Sequence, residues 1–269
     1  MRDLGVDTAV AGSGGRYTAT LAEGWEIWGP QGGYVAAVAL RGAAAASGFE
    51  RPASFVSHFL RPAQVGPVEV RVETLRQTRR AESLRVAVIQ NDLQILEALV
   101  WMAAELVGVD HVGSSPPQVP EPAELQPWET YLPGGEAPFP FWANFDIRPV
   151  APLPTEWGRV NEPRSVGWMR LHVRPALEDP VIDAARLLVA GDSSMYPAAI
   201  LAHEELFPYI APSLDLAMTF HLVGSESDWL LIEAASPVSE GALVGGNASI
   251  WSSDGRLLAS ATQQMLQRT

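Results

Sequence analysis

The stretch Trp28-Gly29-Pro30-Gln31-Gly32-Gly33-Tyr34-Val35-Ala36-Ala37-Val38-Ala39-Leu40-Arg41-Gly42-Ala43-Ala44-Ala45-Ala46 holds a turn and a helix in one reading. Residues 16–28 alternate loosely and carry Trp25 and Trp28, as a strand does, and Gly29 to Gly33 then break the pattern. The apolar run from Tyr34 to Ala46 predicts a long buried helix. Its alanines leave little side chain, so a sheet can approach the helix backbone closely while Val35, Val38 and Leu40 fill the gaps. Outward from it, residues 54–60, 68–75, 84–90 and 95–105 are rich in β-branched and apolar side chains and read as strands. Gly66 with its flanking prolines, the polar residues 77–82 and Gln90-Asn91-Asp92 mark the turns, the last of them suited to a tight antiparallel hairpin. The unit is a helix followed by an antiparallel meander.

Twelve prolines between 116 and 163, Pro152 and Pro154 among them, preclude long regular elements. Residues 111–165 therefore read as a linker crossing the surface, and its aromatics Trp128, Phe139, Phe141, Trp142 and Phe145 predict that it packs against the domains. Beyond it the same programme runs again: a strand at 166–173, a helix at 193–206, then apolar segments to Gln267. Aligning Gln31 with Asp192 sets an offset of about 161 (192 minus 31), which also superposes Phe59 on Phe220 and brings the turn at Gln90 near that at Asp254. A half-barrel on one helix leaves a long open edge and a poorly covered face, and pairing two halves removes both.

With 18 Lys and Arg against 31 Asp and Glu, the net charge is −13, which removes the electrostatic footprint of a nucleic-acid binder. Local arginines such as Arg76, Arg79, Arg80 and Arg85 still offer a phosphorylated ligand a hold, although a solvated strand edge is the simpler reading. The absence of cysteine excludes a thiol nucleophile, a disulfide framework and a thiolate metal site. No apolar run approaches the roughly 20 residues that span a bilayer, and the first residues lack a signal pattern, so no membrane partner is expected and a cytoplasmic address is the default.

The residues Trp28 to Val35, Ser57-His58-Phe59-Leu60-Arg61-Pro62, Val72 to Arg76 and Arg85 to Asn91 in the first half, with Leu214-Asp215, Phe220-His221, Trp229-Leu230-Leu231 and Asp254 to Ser260 in the second, resemble the double hot-dog acyl-CoA thioesterases of the thioesterase II type. The resemblance covers nearly the whole chain. It implies an α+β fold of two tandem hot-dog domains, each a long helix wrapped by an antiparallel sheet, packed as an intramolecular pseudo-dimer. The boundaries it suggests are 1–110, a linker 111–165, and 166–269. It further implies an acyl-CoA substrate, a place in fatty-acid metabolism, no metal or organic cofactor, and an oligomeric state left open between a single chain and a homo-oligomer of fused chains. The family holds an attacking water with an Asp, a Thr or Ser, and a Gln. Carried over by position these fall on Asp192 at the helix start, Ser213 and Gln263. By the same offset Gln31, Pro52 and Trp101 stand opposite them, so one site per chain is expected, with backbone N–H groups near Gly32 and Gly33 as oxyanion donors.

Each residue alone has a plainer reading. Asp192 before two serines suits a helix N-cap, Ser213 a turn hydroxyl, and Gln263 an exposed strand position beside Gln264. His58, His172, His203 and His221 show no ligand spacing, and a Gly-x-Ser-x-Gly elbow is absent, which disfavours metal and covalent serine chemistry. Two rival functions stay open: a non-catalytic binder of acyl or aromatic ligands, and a hot-dog enoyl-CoA hydratase. The hydratase would want a His about five residues after its Asp, where this chain has Pro197.

Overall fold

The computed structural model describes residues 1–151, 160–205 and 209–268, with only the backbone described at Pro133 and Ala151. A short helix α1 (Leu4–Asp7) precedes β1 (Ala11–Ser13), β2 (Arg16–Leu21), helix α2 (Gly32–Ala46), β3 (Arg51–Phe59), β4 (Gly66–Gln77), β5 (Ala81–Gln90) and β6 (Leu93–Ala103). After four short 3-10 turns come β7 (Phe145–Ala151), β8 (Arg164–Leu171), helix α3 (Pro180–Ile200), β9 (Asp215–Phe220), β10 (Leu230–Ala235), β11 (Ser239–Glu240), β12 (Leu243–Ser252) and β13 (Leu257–Leu266). All pair into one antiparallel sheet, in the order β1-β2-β4-β5-β6-β3-β9-β13-β12-β10-β8-β7, with β11 beside β12.

That order carries the duplication. Taken inward from either end, β2-β4-β5-β6-β3 and β8-β10-β12-β13-β9 are one arrangement, in which the strand before the helix lies outermost and the strand after it lies at the centre. The fold is two tandem hot-dog units in one polypeptide. Their seam is the pairing of β3 with β9, from Ser54 opposite Thr219 to His58 opposite Asp215, so the edge that each half alone would expose is consumed by the other. The Asn91-Asp92 hairpin has both residues at positive φ, 51° and 60°, and pairs Gln90 directly with Leu93, as a two-residue turn of this type requires.

Inside the sheet the two helices pack on each other. Residues 33–40 of α2 are all buried, because α3 covers the side that its own sheet does not. The helix starts at Gln31, whose side-chain oxygen accepts the Tyr34 N–H at 2.7 Å. The Tyr34 ring stacks on Trp25 at 5.1 Å, and the linker aromatics Phe141 and Phe145 meet Trp25 edge-on, both at 6.2 Å.

The second helix departs from the sequence expectation. It spans Pro180–Ile200 rather than 193–206, and Asp192 is not at its start but in its interior; Leu206, the expected end, lies outside the described residues. The true N-cap is Asp179, whose carboxylate accepts from Val181 and Ile182, with Pro180 in the first turn where its missing N–H costs nothing. The helices thus begin 148 residues apart (180 minus 32), although Phe59 and Phe220 end their strands 161 apart (220 minus 59). The offset holds for the strands that follow each helix and fails for the helix and the strand before it (β8 begins 148 residues after β2, 164 minus 16), because α3 is 21 residues long against 15 for α2 and the chain takes 14 residues from α3 to β9 (201–214) but only four from α2 to β3 (47–50).

The proline-rich stretch is more structured than its composition suggests. Phe145–Ala151 is a strand at the sheet edge, where Pro149 can sit without removing a ladder hydrogen bond that a central strand would need. Its earlier part covers the outer face of the second half: Val119 and Leu125 pack on Val166, Trp168, Leu231 and Trp251, and the Trp168 indole donates to Pro120 O at 2.9 Å. Pro152 and Pro154 lie outside the described residues.

Gly33 sets the distance between the helices, since a Cβ there would stand 2.5 Å from Leu188 O and 2.8 Å from Val189 Cα. Both are backbone atoms of α3 that cannot step aside. Gly33→Ala is therefore expected to cost about 1–3 kcal/mol in denaturant unfolding. Gly108→Ala, with nothing within 4 Å of the added carbon, should leave the midpoint in place.

Candidate active site

Asp192 is buried in the interior of α3, at the point where that helix passes the N-terminus of α2. Its carboxylate receives four donors. Oδ2 accepts from Gln31 Nε2 at 2.5 Å and from the Gly33 backbone N–H at 2.8 Å. Oδ1 accepts from the Ser213 hydroxyl at 2.9 Å and from Gln263 Nε2, which also donates to Ser213 Oγ at 2.6 Å. Ser213 and Gln263 meet because the β9–β13 ladder continues past Asp215: Leu214 N–H donates to Gln264 O at 2.8 Å, and Ser213 bridges to Met265. The strand alternation then turns Gln263 inward toward α3.

Burial pushes the Asp192 carboxyl above the ordinary range, against the opposing effect of its donors Gly33, Ser213, Gln263 and Gln31. The N-terminus of α2, whose Gly33 N–H donates to Asp192, adds a favourable dipole on the same side.

A cavity of about 470 Å³ opens beside this cluster. Its lining includes Gln31, Gly32, Asp192 and Ser213 on the polar side, and Trp28, Tyr196, Met265 and Ile232 together with the linker residues Trp128 and Trp142 among its many apolar members. Trp28 meets Tyr196 edge-on at 5.2 Å, and Trp128 meets Trp142 in the same way at 5.6 Å. Two cations, Arg61 and Arg268, stand among its exposed lining. This is a largely apolar cavity with a buried carboxylate and two exposed cations in its lining.

A family model described as the acyl-CoA thioesterase N-terminal domain matches residues 21–103, and one described as the acyl-CoA thioesterase C-terminal domain matches residues 115–267. The chain belongs to the acyl-CoA thioesterase family. No curated protein matches it. Among solved structures, it is similar to a conserved hot-dog protein of unknown function from Alicyclobacillus acidocaldarius, at TM-score 0.87 and 20% identity over 99% of this chain and 98% of that one. A putative thioesterase II from Thermobifida fusca YX aligns at TM-score 0.83 and 22% identity, over 100% and 98% of the two chains. The acyl-CoA thioesterase II TesB2 from Mycobacterium marinum aligns at 0.78 and 23%, over 98% of each.

In this thioesterase the three residues carried over by position, Asp192, Ser213 and Gln263, stand within hydrogen-bonding distance of one another. Two expectations need correction. The Gly33 N–H is spent on Asp192, so of the two glycines only Gly32 has a first-turn N–H that is not bonded to that carboxylate. Gln263 does not line the cavity; its amide nitrogen serves Asp192 and Ser213, and its Oε1 is buried with no partner among the described residues. Gln31 was expected only as a counterpart of Asp192 in the other half, and it is instead a donor to it. Arg76, Arg79, Arg80 and Arg85 do not line the cavity, and Arg85 pairs with Glu73 and Glu97 on the outer surface of the sheet. None of the five histidines lines it either, and no described helix is long and apolar enough to cross a membrane.

With the folded carboxyl raised above its unfolded value near 3.9, the folded state holds the proton longer. Stability contributed by Asp192 is then greatest at low pH and declines as pH rises toward the folded value. Asp192→Asn removes that slope and keeps the shape. The stability of the wild type relative to this variant is expected to fall from about pH 4 upward and then level, as read from thermal melts across pH.

Proposed function

We propose that the chain hydrolyses hydrophobic acyl-CoA thioesters, the acyl group in the aromatic cavity and the attacking water activated by Asp192 through Ser213. The observation that carries the proposal is the placement of Asp192 and Ser213, hydrogen-bonded to each other, together in the lining of a largely apolar cavity. Both oxygens of Asp192 already accept two hydrogen bonds, which fills the carboxylate's usual four sites. The water therefore reaches the base by way of the hydroxyl.

As the water oxygen bonds to the thioester carbon, its proton passes to Ser213 Oγ while Ser213 gives its own to Asp192 Oδ1. The carbonyl electron pair moves onto oxygen, where the Gly32 N–H at the first turn of α2 is the donor this reading assigns. Collapse re-forms the carbonyl and breaks the C–S bond, and the departing thiolate recovers the proton by the same route, leaving free acid and CoA. Gln263 has no contact with the water in this scheme; it fixes the hydroxyl and the carboxylate relative to each other. Arg61 and Arg268 are the exposed lining cations suited to the phosphates of CoA despite the net charge of −13.

Release of free CoA, followed with a thiol reagent over a panel of acyl-CoAs, tests the reading. Asp192→Asn should lower kcat by about 10²- to 10⁴-fold. Ser213→Thr should retain activity while Ser213→Ala loses it, and kcat/KM should fall toward acid pH as Asp192 takes up its proton. Tight acyl-CoA binding without turnover, or an Asp192→Asn variant as fast as the wild type, would defeat the proposal. Hydration of crotonyl-CoA in place of CoA release would point to the hydratase.

A further inference from the structure

We propose that Gln31, carried by the N-terminal half, is a positioning residue of the site: it locks the Asp192 carboxylate so that Oδ1 faces Ser213 and it stabilises the ionised form. This deepens the hydrolytic reading above and rests on it.

The orientation of a glutamine amide is normally a choice between two indistinguishable flips. Here the surroundings settle it. Gln31 Oε1 accepts the Tyr34 backbone N–H at 2.7 Å, which only an oxygen can do, so Nε2 must be the atom that faces Asp192 Oδ2 at 2.5 Å. The residue is 5% exposed, and its backbone N–H is tied to Trp25 O at 2.9 Å, so neither end is free to swing.

With Gln31 and Gly33 on Oδ2, that oxygen has two donors whose protons do not transfer at any accessible pH. Proton traffic is left to Oδ1, where the hydroxyl of Ser213 lies. The carboxylate is thereby given a fixed end and a working end. Both donors on the fixed end come from the half that has no carboxylate of its own at the site.

The choice of side chain points the same way. Helices prefer Ser, Thr, Asp or Asn at the N-cap, and glutamine is not among them. A shorter cap would serve Tyr34 and fall short of Asp192, whereas an acidic one would set a second negative charge against it. Glutamine is long enough to cap the helix with its oxygen and reach across to α3 with its nitrogen. Burial works against the charge on Asp192, and the Gln31 hydrogen bond is one of the interactions that works for it.

Three proteins test this: the wild type, Gln31→Met, which keeps length and apolar packing but loses the amide, and Gln31→Ser, which keeps a cap but not the reach. Losing one donor to a charged acceptor should move the acid limb of kcat/KM upward by about one pH unit or more in both variants. The rate should be about tenfold lower just below the limb, recover toward alkaline pH, and leave KM within about twofold. If Gln31 only caps α2, Gln31→Met will lose rate and melting temperature evenly across pH, Gln31→Ser will restore both, and the limb will stay in place; that result overturns the proposal. A second readout does not depend on turnover. The pH at which stability levels relative to the matching Asp192→Asn protein should be higher in the Gln31→Met background, and an unchanged levelling point counts against Gln31. Should Asp192→Asn keep full turnover, the hydrolytic reading fails, while this stability profile still decides whether Gln31 holds the charge on Asp192.

Discussion

A carboxylate removed from water must be met by donors or give up its charge, and at Asp192 four donors meet it. Two come from the loop and strand that follow α3, and two from the start of α2 in the other half. The close helix crossing at Gly33, the seam between β3 and β9 and the inward turn of Gln263 all bring these donors to one point. The second half has the acid and its hydroxyl partner; the first half completes the shell. Neither half alone would hold the charge as the pair does, which gives a physical reason for two copies of one fold to remain in one chain.

Much of the architecture was legible before any coordinates. The alanine-rich run after Gly32-Gly33 leaves little but a buried helix, and Asn91-Asp92 between two β-branched runs leaves little but a tight hairpin. Both rest on local steric rules. The second helix is less legible because Asp192-Ser193-Ser194 imitates an N-cap, while the real start is Asp179-Pro180. A constant offset between repeats assumes equal helices and loops, and the longer α3 with the extra residues between it and β9 breaks that assumption for everything that precedes β9.

At the site, the trio is legible only through the family resemblance, since the repeat offset sets Gln31, Pro52 and Trp101 opposite its members. The part played by Gln31 was not reachable in that way. Its partner lies 161 residues away on a helix that was expected to start there, and a helix start and a helix interior offer a carboxylate very different neighbours. The one available signal was glutamine before two glycines at a helix start, an unusual cap that asks for a second purpose. The cavity walls were half visible: the linker aromatics announced that they would pack, but their placement depends on the whole path of the chain from Ala103 to Phe145.

That path has a consequence of its own. Trp128 and Trp142 wall the cavity from a segment that contributes nothing to the carboxylate cluster, whereas the acid and its four donors sit on the helices, the ends of the sheet strands and one adjoining loop. Under the proposed hydrolysis, what fits and what reacts are therefore encoded in separate stretches of polypeptide, and drift in the length or bulk of the proline-rich segment would retune the accepted guest while the Asp192 cluster stays as it is.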